Sequence, residues 1–471
     1  MKKVIVVIIA VAMMLVGIVI VSLRCLGEYN SLVKVIFFGG THQFTGINNS
    51  NNYCVSVVPF FKNLSQYTQD ATYIVLFQNN SEIRPSGGFM GSFARVQFEN
   101  NVLKNWEIEN IHVADGQITT ELIPPIPLQQ AFRLGFDTLR NSNWEIDFTQ
   151  AGAIINKFFL LSGEEKIDGI IAVNTGLIKK WLQVVGTIRT PDYPELVTAD
   201  TFYDLAQRYA EQSFFPGSTQ KQDYLRAVGK ALWDKTQQSS IFTKIKLARL
   251  IYDQLEKKQI LIWLADTNRA LEISHKEWDG GLGNYEVDYL YPVESNLGAN
   301  KANCCIDRHL VQEVTLDKDI QSSVAIELIN ENPSNTPHPP ESWGGDYINY
   351  ERIVIPAAAQ ITKVAVNDQQ YVLDNNKDPI FPPNIDKDFG YSTQTQGKFT
   401  SIGFWTLVPA QKSIKIQLVY KLPLQKNEAV NYEVVVRRQP GIYKLPYRLY
   451  INGKKKVDQI LEADKTFTFS N

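Results

Sequence analysis

TYIVLFQNNSEIRPSGGFMGSFARVQF, residues 72–98, is the stretch that decides how this chain folds. It begins with an apolar, β-branched run that is typical of a buried strand. A polar, glycine-rich loop follows, and the alternating run SFARVQF then predicts a second strand. The loop between the two strands raises a question about function, because such a loop either binds a ligand or only turns the chain.

Two familiar catalytic motifs are excluded for this loop. No Gly-Lys-Ser/Thr follows RPSGGFMGS, so it is not a nucleotide phosphate loop, and no serine stands between its glycines, as a nucleophile elbow requires. Gly87 and Gly88 allow close approach of another group to the backbone, and Arg84 can bind a carboxylate or a phosphate. The alternative is that Arg84 pairs with Glu82 or another acid and that the glycines only turn the chain.

Beyond the loop, strands alternate with helical-period segments. Asn100–Asn101 predicts a hairpin turn, and the strand after it is expected to end near Asp115, where a carboxylate can bind a divalent cation or hold Arg84. An Asp-Gly turn is the plain alternative for Asp115. The alternation predicts an α/β domain over residues 71–305, with a sheet covered by helices.

The character of the sequence changes after residue 305. Short alternating segments separated by Pro, Gly and Asn turns follow one another, and almost nothing has helical period. This pattern is typical of a β-sandwich, so we predict an all-β, sandwich-like domain over residues 306–471.

The N-terminal residues predict a membrane anchor. Residues 4–23 contain no charged side chain, and twenty residues of helix span the apolar core of a bilayer. A cleaved signal peptide is the alternative, but its apolar part is usually shorter and ends in small residues. We therefore expect a single-pass protein of the cell membrane, with a cytoplasmic tail (residues 1–3), a transmembrane helix (4–23) and a tether (24–70) that leads to the extracytoplasmic bulk of the chain.

The composition of the chain argues against several classes of function. The formal net charge is −2, which gives no field for nucleic acid, and the five histidines are scattered singly, so no metal site is predicted. The four cysteines are Cys25, Cys54, Cys304 and Cys305. Cys54 could pair with Cys304 or Cys305, or the two adjacent cysteines could pair with each other, and the sequence leaves these pairings open.

Five segments together resemble a bacterial family of membrane-anchored envelope proteins, the domain-of-unknown-function family 4012. They are LFQNNSEIRPSGGFMGSF, IHVADGQ, IDGIIAVNTGLIKKWLQVVGTI, VESNLGANKAN and VVVRRQPG. The resemblance implies an envelope location for nearly the whole region outside the anchor. It implies no particular activity.

A more distant resemblance is to the LytR–CpsA–Psr family of envelope phosphotransferases, which move glycopolymers from polyprenyl pyrophosphate to the cell wall. The resemblance implies an α/β sheet of that family's type. Arg84, Asp115 and Arg208 stand at positions that resemble ligand-binding residues of that family, whose site uses Mg²⁺. The sequence departs from that family at Val113–Ala114 and at STQKQ, residues 218–222, where arginines are expected. Because phosphoryl transfer depends on such cations, these departures favour a shared fold over shared catalysis.

The sequence therefore predicts an envelope protein that binds a glycan, a polyprenyl-linked intermediate or a protein partner. Two alternatives are a divergent, Mg²⁺-dependent phosphotransferase acting on polyprenyl-pyrophosphate-linked glycans, and a structural or adhesive surface protein. The anchor predicts the lipid bilayer as a partner, and no cofactor other than this Mg²⁺ is implied. The candidate substrate-binding residues are Glu82, Arg84, Gly87, Gly88, Asp115 and Arg208.

Overall fold

The computed structural model describes most of the chain beyond the tether, namely residues 67–133, 135–211, 219–373, 390–423 and 432–469. The predicted tail and transmembrane helix, residues 24–66 of the tether, and Cys25 and Cys54 lie outside these residues. Within the described ranges, no helix is both long and apolar enough to cross a membrane.

A mixed sheet forms the centre of the first region. Its strands are β1 (Thr72–Asn79), β2 (Phe89–Glu99), β3 (Val102–Asn110), β4 (Gly169–Asn174) and β7 (Ile260–Leu264), and a separate short pair consists of β5 (Ile188–Arg189) and β6 (Leu196–Val197). The order across the sheet is β3-β2-β1-β4-β7. β1 pairs antiparallel with β2 and parallel with β4, which places the loop after β1 at the same edge as the end of β4.

Helices cover both faces of this sheet. They are α1 (Ile111–Asp115), α2 (Ile126–Phe132), α3 (Phe148–Leu161), α4 (Gly176–Val185), α5 (Phe202–Glu211), α6 (Gln220–Gln238), α7 (Ile241–Glu256) and α8 (Thr267–Ser274). Side chains of β1 alternate between the two cores, because successive residues of a strand point to opposite faces. Ile74 and Leu76 belong to the core that includes α3, whereas Tyr73 packs in the core formed with α4 to α8.

The predicted hairpin between β2 and β3 is confirmed. Asn100 and Asn101 have φ angles of 50° and 63°, the left-handed conformation that a two-residue turn of this type needs. The strand after the turn is shorter than predicted, since β3 ends at Asn110. The Asn110 side chain accepts a hydrogen bond from the His112 N–H and so caps α1. Asp115 therefore ends a short helix, and its predicted place at the end of a strand was wrong.

The second region consists of strands, as predicted. They are β8 (Asp288–Val293), β9 (Ile306–Leu316), β10 (Asp319–Asn330), β11 (Tyr347–Pro356), β12 (Gln360–Val366), β13 (Gln369–Gln370), β14 (Val372–Leu373), β15 (Gly390–Gln396), β16 (Phe399–Val408), β17 (Lys412–Pro423), β18 (Tyr432–Val436), β19 (Leu445–Ile451), β20 (Lys454–Leu461) and β21 (Lys465–Phe469). Over the described residues they form two seven-stranded sheets, β13-β12-β17-β10-β9-β19-β20 and β14-β15-β16-β11-β8-β18-β21. Both sheets contribute to one apolar core.

The chain is thus mixed α/β first and all-β later, as predicted. The boundary between residues 305 and 306 stays a prediction, and β8, which lies before it, pairs with β11 and β18 of the second region. Cys304 and Cys305 form a disulfide with each other, which is one of the three pairings that the sequence left open.

A buried carboxylate lies inside the sandwich core. Asp288 accepts hydrogen bonds from the hydroxyls of Tyr420 (2.7 Å) and Tyr432 (2.5 Å), and from the Gln312 amide (3.2 Å). Burial raises the pKa of Asp288 to about 6, although these donors act in the opposite direction. The folded protein therefore holds a proton on this carboxyl more tightly than the unfolded chain does.

The segment RRQPG, residues 437–441, joins the two regions. The buried Gln439 amide donates to the carbonyls of Arg84 (3.0 Å) and Glu294 (2.8 Å), and its oxygen accepts from the Glu294 N–H (2.8 Å). One side chain thus satisfies backbone groups of the loop after β1 and of the segment after β8. Because buried backbone groups need partners, this amide fixes the distance between the two regions.

We expect Gln439→Ala to lower the free energy of unfolding by about 3 kcal/mol, because it leaves three buried backbone groups unpaired. Urea unfolding measures the loss. Gln369→Ala is the matched control, since Gln369 is exposed on β13, and it should cost less than about 0.5 kcal/mol. Equal losses in the two variants would contradict this role of Gln439.

Asp288 should make stability depend on pH. A folded pKa of about 6 against about 3.9 in the unfolded chain means that unfolding releases a proton between these values, so stability is fully present below pH 4 and falls as pH rises towards 6. The shift corresponds to about 3 kcal/mol. Free energies of unfolding measured at several pH values should show this fall in the wild type, and Asp288→Asn should lack it. A constant difference between the two proteins across the range would refute it.

Candidate functional site

The residues between β1 and β2, numbers 80–88, form what we call the Glu82 loop. The loop bonds to itself and to its flanking strands: Glu82 N–H donates to the Asn79 carbonyl (3.1 Å), Gly87 N–H to the Arg84 carbonyl (2.8 Å) and Phe89 N–H to the Glu82 carbonyl (2.8 Å). Such backbone bonds give the loop a single compact shape. The shape sends Arg84 to the protein interior and Glu82 towards a cavity.

Arg84 is buried, with a side-chain exposure of 1%. Its guanidinium donates to the carbonyls of Asn296 and Ile83 and to the Glu82 carboxylate, which lies 3.2 Å away. Burial lowers the pKa of Arg84, and Glu82 counteracts this effect. Of the alternatives set out for Arg84, the pairing with Glu82 is therefore present, and its carbonyl contacts fix the loop to the segment after β8.

Close packing explains both glycines of the loop. Gly87 has a φ of 130°, and a Cβ there would lie 2.4 Å from Asn174 Oδ1; a Cβ on Gly88 would lie 2.4 Å from the carbonyl carbon of Asn79. A Cβ on Gly441 would meet the Gly87 carbonyl oxygen. The backbone here approaches other parts of the chain too closely for any side chain.

Asp115 and Arg208 lie outside the Glu82 loop, on α1 and α5. Asp115 accepts a hydrogen bond from the Leu139 N–H (2.5 Å) and lies 3.5 Å from the Arg140 guanidinium. Burial raises the pKa of Asp115, and Arg140 counteracts the rise. Arg208 lies on α5 with a side-chain exposure of 41%, and its guanidinium is 3.9 Å from Glu195.

A cavity of about 360 Å³ lies between the Glu82 loop and the helices α4, α5 and α6. Its walls are mostly apolar and are formed by Phe77, Ile108, Ile178, Phe202, Ala206, Ala210, Leu225, Val228 and Leu232. Of the six residues predicted to bind substrate, Glu82 lines the cavity; the other five are absent from its described lining. A ligand role for these residues stays a prediction.

Polar groups line the same cavity. They include Glu82, His112, Asn174, Thr175, Lys301 and Ser92, whose buried hydroxyl has no hydrogen-bond partner among the described residues. A carboxylate, an ammonium group and an imidazole thus share the cavity with its apolar walls. An amphipathic molecule with an apolar chain and a polar end matches this lining.

The sequence did not reveal this cavity. Phe202, Ala206 and Ala210 recur at helical spacing on α5, which is also the pattern of a helix packed in a core. Lys301 belongs to VESNLGANKAN, one of the segments that carry the family resemblance, which implies no ligand for it. Chain regions far apart in sequence build the cavity, so no local motif marks it.

The residues present do not fit the Mg²⁺ that the distant resemblance implies. The described residues contain no group of three or more His, Cys, Asp or Glu side chains arranged to hold a metal ion. Asp115, the expected ligand, is engaged by the Leu139 N–H and by Arg140. We therefore derive no step through a metal ion.

Comparison with known proteins supports the resemblance that the sequence indicated. Residues 68–210 match the model of the family described as protein of unknown function DUF4012. No curated protein matches. The match includes the Glu82 loop and all of α5 except its last residue, and so most of the residues that line the cavity.

Solved structures that are similar to parts of this chain include three bacterial proteins. TagV from Bacillus subtilis is 14% identical, with 45% of this chain and 81% of that chain covered and a TM-score of 0.26. The protein gbs0355 from Streptococcus agalactiae is 13% identical (46% and 76% covered, TM-score 0.29), and Lin1025 from Listeria innocua is 11% identical (45% and 79% covered, TM-score 0.24). At these TM-scores the likeness supports no argument about arrangement or activity.

The two predicted ligand arginines should differ sharply in their effect on stability. Arg84→Ala removes a buried cation and leaves carbonyls of the interface unpaired, so we expect the free energy of unfolding to fall by about 4 kcal/mol. Arg208→Ala removes an exposed pair and should change it by less than about 0.5 kcal/mol. Urea unfolding of both variants checks this, and similar values for the two would contradict the assignment of Arg84 to the interior.

Proposed function

We propose that the protein is a membrane-anchored, extracytoplasmic envelope protein that binds a polyprenyl-linked intermediate of envelope glycan assembly. The observation that carries the proposal is the cavity beside the Glu82 loop, with its apolar walls and its few polar groups. Its volume of about 360 Å³ is within the range typical of sites for small ligands.

The two parts of such a ligand match two parts of the site. A branched hydrocarbon chain gains free energy by leaving water for walls made of Phe, Leu, Ile and Ala side chains. The polar end of the ligand would lie among Lys301, His112 and Glu82, where an ammonium and an imidazole favour phosphate and a carboxylate accepts hydrogen bonds from sugar hydroxyls.

Location and fold type belong to the same proposal. The apolar residues 4–23 support an anchor in the cell membrane, with the N-terminus in the cytoplasm and the bilayer as a partner. A LytR–CpsA–Psr-like type for the α/β region, in which helices cover both faces of the sheet β3-β2-β1-β4-β7, is part of the proposal. A polyprenyl-linked molecule also resides in the membrane to which the anchor would hold the protein.

We propose binding rather than phosphotransfer. Arg84, the cation expected at the reacting phosphates, is buried against Glu82 and Asn296, and Asp115 is engaged by Leu139 and Arg140. The charge stabilisation that phosphoryl transfer needs is not assembled from these residues.

Filling the cavity should abolish binding. Ala210 lines the cavity on α5, so the indole of Ala210→Trp would occupy space that the ligand needs. Binding of undecaprenyl phosphate to the full chain in detergent, followed by native mass spectrometry, should weaken at least about tenfold, which corresponds to about 1.4 kcal/mol.

Ala227→Trp on α6 is the matched control, because Ala227 is a half-buried helical alanine outside the cavity lining. It should bind as the wild type does. Failure of the wild type to bind undecaprenyl phosphate, or the same loss in both variants, would refute the proposed function.

A further inference from the structure

The segment of residues 301–305 touches both the cavity and the Glu82 loop. Lys301 lines the cavity. Two residues on, the Asn303 N–H donates to the Ser81 carbonyl (3.1 Å), and the Asn303 side-chain oxygen accepts from the Ile83 N–H (3.2 Å). Asn303 thus holds the residues on either side of Glu82, the carboxylate that faces the cavity.

The disulfide between Cys304 and Cys305 directly follows these contacts. A bond between adjacent cysteines closes a small ring that contains the peptide bond between them, and so restricts the backbone next to Asn303. Cys304 is exposed, whereas Cys305 is half-buried, and the Cys305 carbonyl accepts a hydrogen bond from the Glu331 N–H (2.8 Å). The more exposed residue of the ring is therefore Cys304, whose Sγ lies 3.5 Å from Asn332 Oδ1, and the ring is held on its other side by the sandwich.

We propose that Cys304–Cys305 is a redox site whose state controls the hold of Asn303 on the Glu82 loop. Reduction by a dithiol opens the ring, gives the backbone of residues 301–305 more conformational freedom, and weakens the Asn303 contacts to Ser81 and Ile83. Glu82 and Lys301, which line the cavity, lie on the two segments whose contact is weakened. The effect on the loop does not depend on the ligand; the effect on ligand binding rests on the proposed function.

The chemistry is thiol–disulfide exchange with a dithiol, either a small molecule or a protein. One thiolate of the dithiol attacks Sγ of Cys304, the more exposed of the two cysteines, forming a mixed disulfide and releasing the Cys305 thiolate, which takes up a proton. The second thiolate then attacks the dithiol's own sulfur in the mixed disulfide and releases the Cys304 thiolate, which is also protonated. The pair gains two electrons and two protons, and the dithiol becomes a disulfide and loses the same number.

Hydrogen–deuterium exchange of the full chain in detergent tests the proposal without any ligand. Cys25→Ser and Cys54→Ser in the background leave the adjacent pair as the only cysteines. Reduction with dithiothreitol, confirmed by alkylation of both thiols and mass spectrometry, should speed exchange in the peptide that contains Ile83 at least about fivefold, because exchange reports local opening. Exchange in β10 should not change.

Two variants separate the disulfide from the contacts that it controls. Cys304→Ser/Cys305→Ser should exchange as the reduced protein does, with or without dithiothreitol. Asn303→Ala should exchange fast in both redox states, because it removes the side-chain contact to Ile83. For both variants, unchanged exchange in β10 shows that the sandwich remains folded.

Three results would overturn the proposal: free thiols at Cys304 and Cys305 in the protein as isolated under air, unchanged exchange at Ile83 after complete reduction, or a serine double variant that exchanges like the oxidised protein. Undecaprenyl phosphate binding, measured in both redox states, separates the two proposals. If the protein binds undecaprenyl phosphate in neither redox state while exchange in the Ile83 peptide still depends on the redox state, the proposed function is refuted and the proposed redox site is not.

Discussion

The arrangement of the two regions depends on two buried glutamine amides. Gln439 bonds to the backbone of Arg84 and of Glu294. Gln259, just before β7, donates to the Ile442 carbonyl (3.2 Å) and accepts from the Gly441 N–H (3.2 Å) and the Asn174 amide (3.1 Å). An amide has both donors and an acceptor, so it can satisfy buried carbonyls and a buried N–H at the same time, which neither an apolar side chain nor an arginine does. The Glu82 loop, the end of β4 and the segment RRQPG are thereby held together.

Charged side chains around these amides are also buried, and most of them are paired. Arg437 and Lys258 both contact Asp464, at 3.0 and 2.5 Å, and these two cations lower the pKa of Asp464 to about 2 although burial alone would raise it. Arg438 donates to the Lys257 carbonyl. Replacement of one member of such a network leaves a buried charge unpaired, which costs far more than the pair contributes. The two regions therefore behave as parts of one packed structure, in which the loop and the cavity wall are fixed from the sandwich side.

Local signals in the sequence predicted much of the fold. The β-branched run of β1, the Asn100–Asn101 turn and the helical period of α3 to α7 each depend on neighbouring residues only, and the structure has all of them. The position of Asp115 was predicted wrongly, because the side chain of Asn110 caps a helix and the strand therefore ends before Asp115. Asn occurs both at strand ends and at helix caps, so the sequence did not distinguish the two. The predicted site residues share a sequence pattern with ligand-binding residues, but burial decides whether an arginine faces a ligand or the interior. Burial of Arg84 depends on Asn296, more than two hundred residues away, and no local pattern contains that information.

The Glu82 loop therefore has two roles: it turns the chain between β1 and β2, and it forms part of the cavity wall. Arg84 faces the interior, and the Glu82 carboxylate, which forms an ion pair with Arg84, lines the cavity. A carboxylate repels phosphate and accepts hydrogen bonds from hydroxyls, while Lys301 on the facing segment supplies the positive charge. Asn303 bonds to the residues on both sides of Glu82 and so holds the loop against the segment that carries the lysine. The two charged side chains of the lining are thus carried by two segments that Asn303 holds in contact.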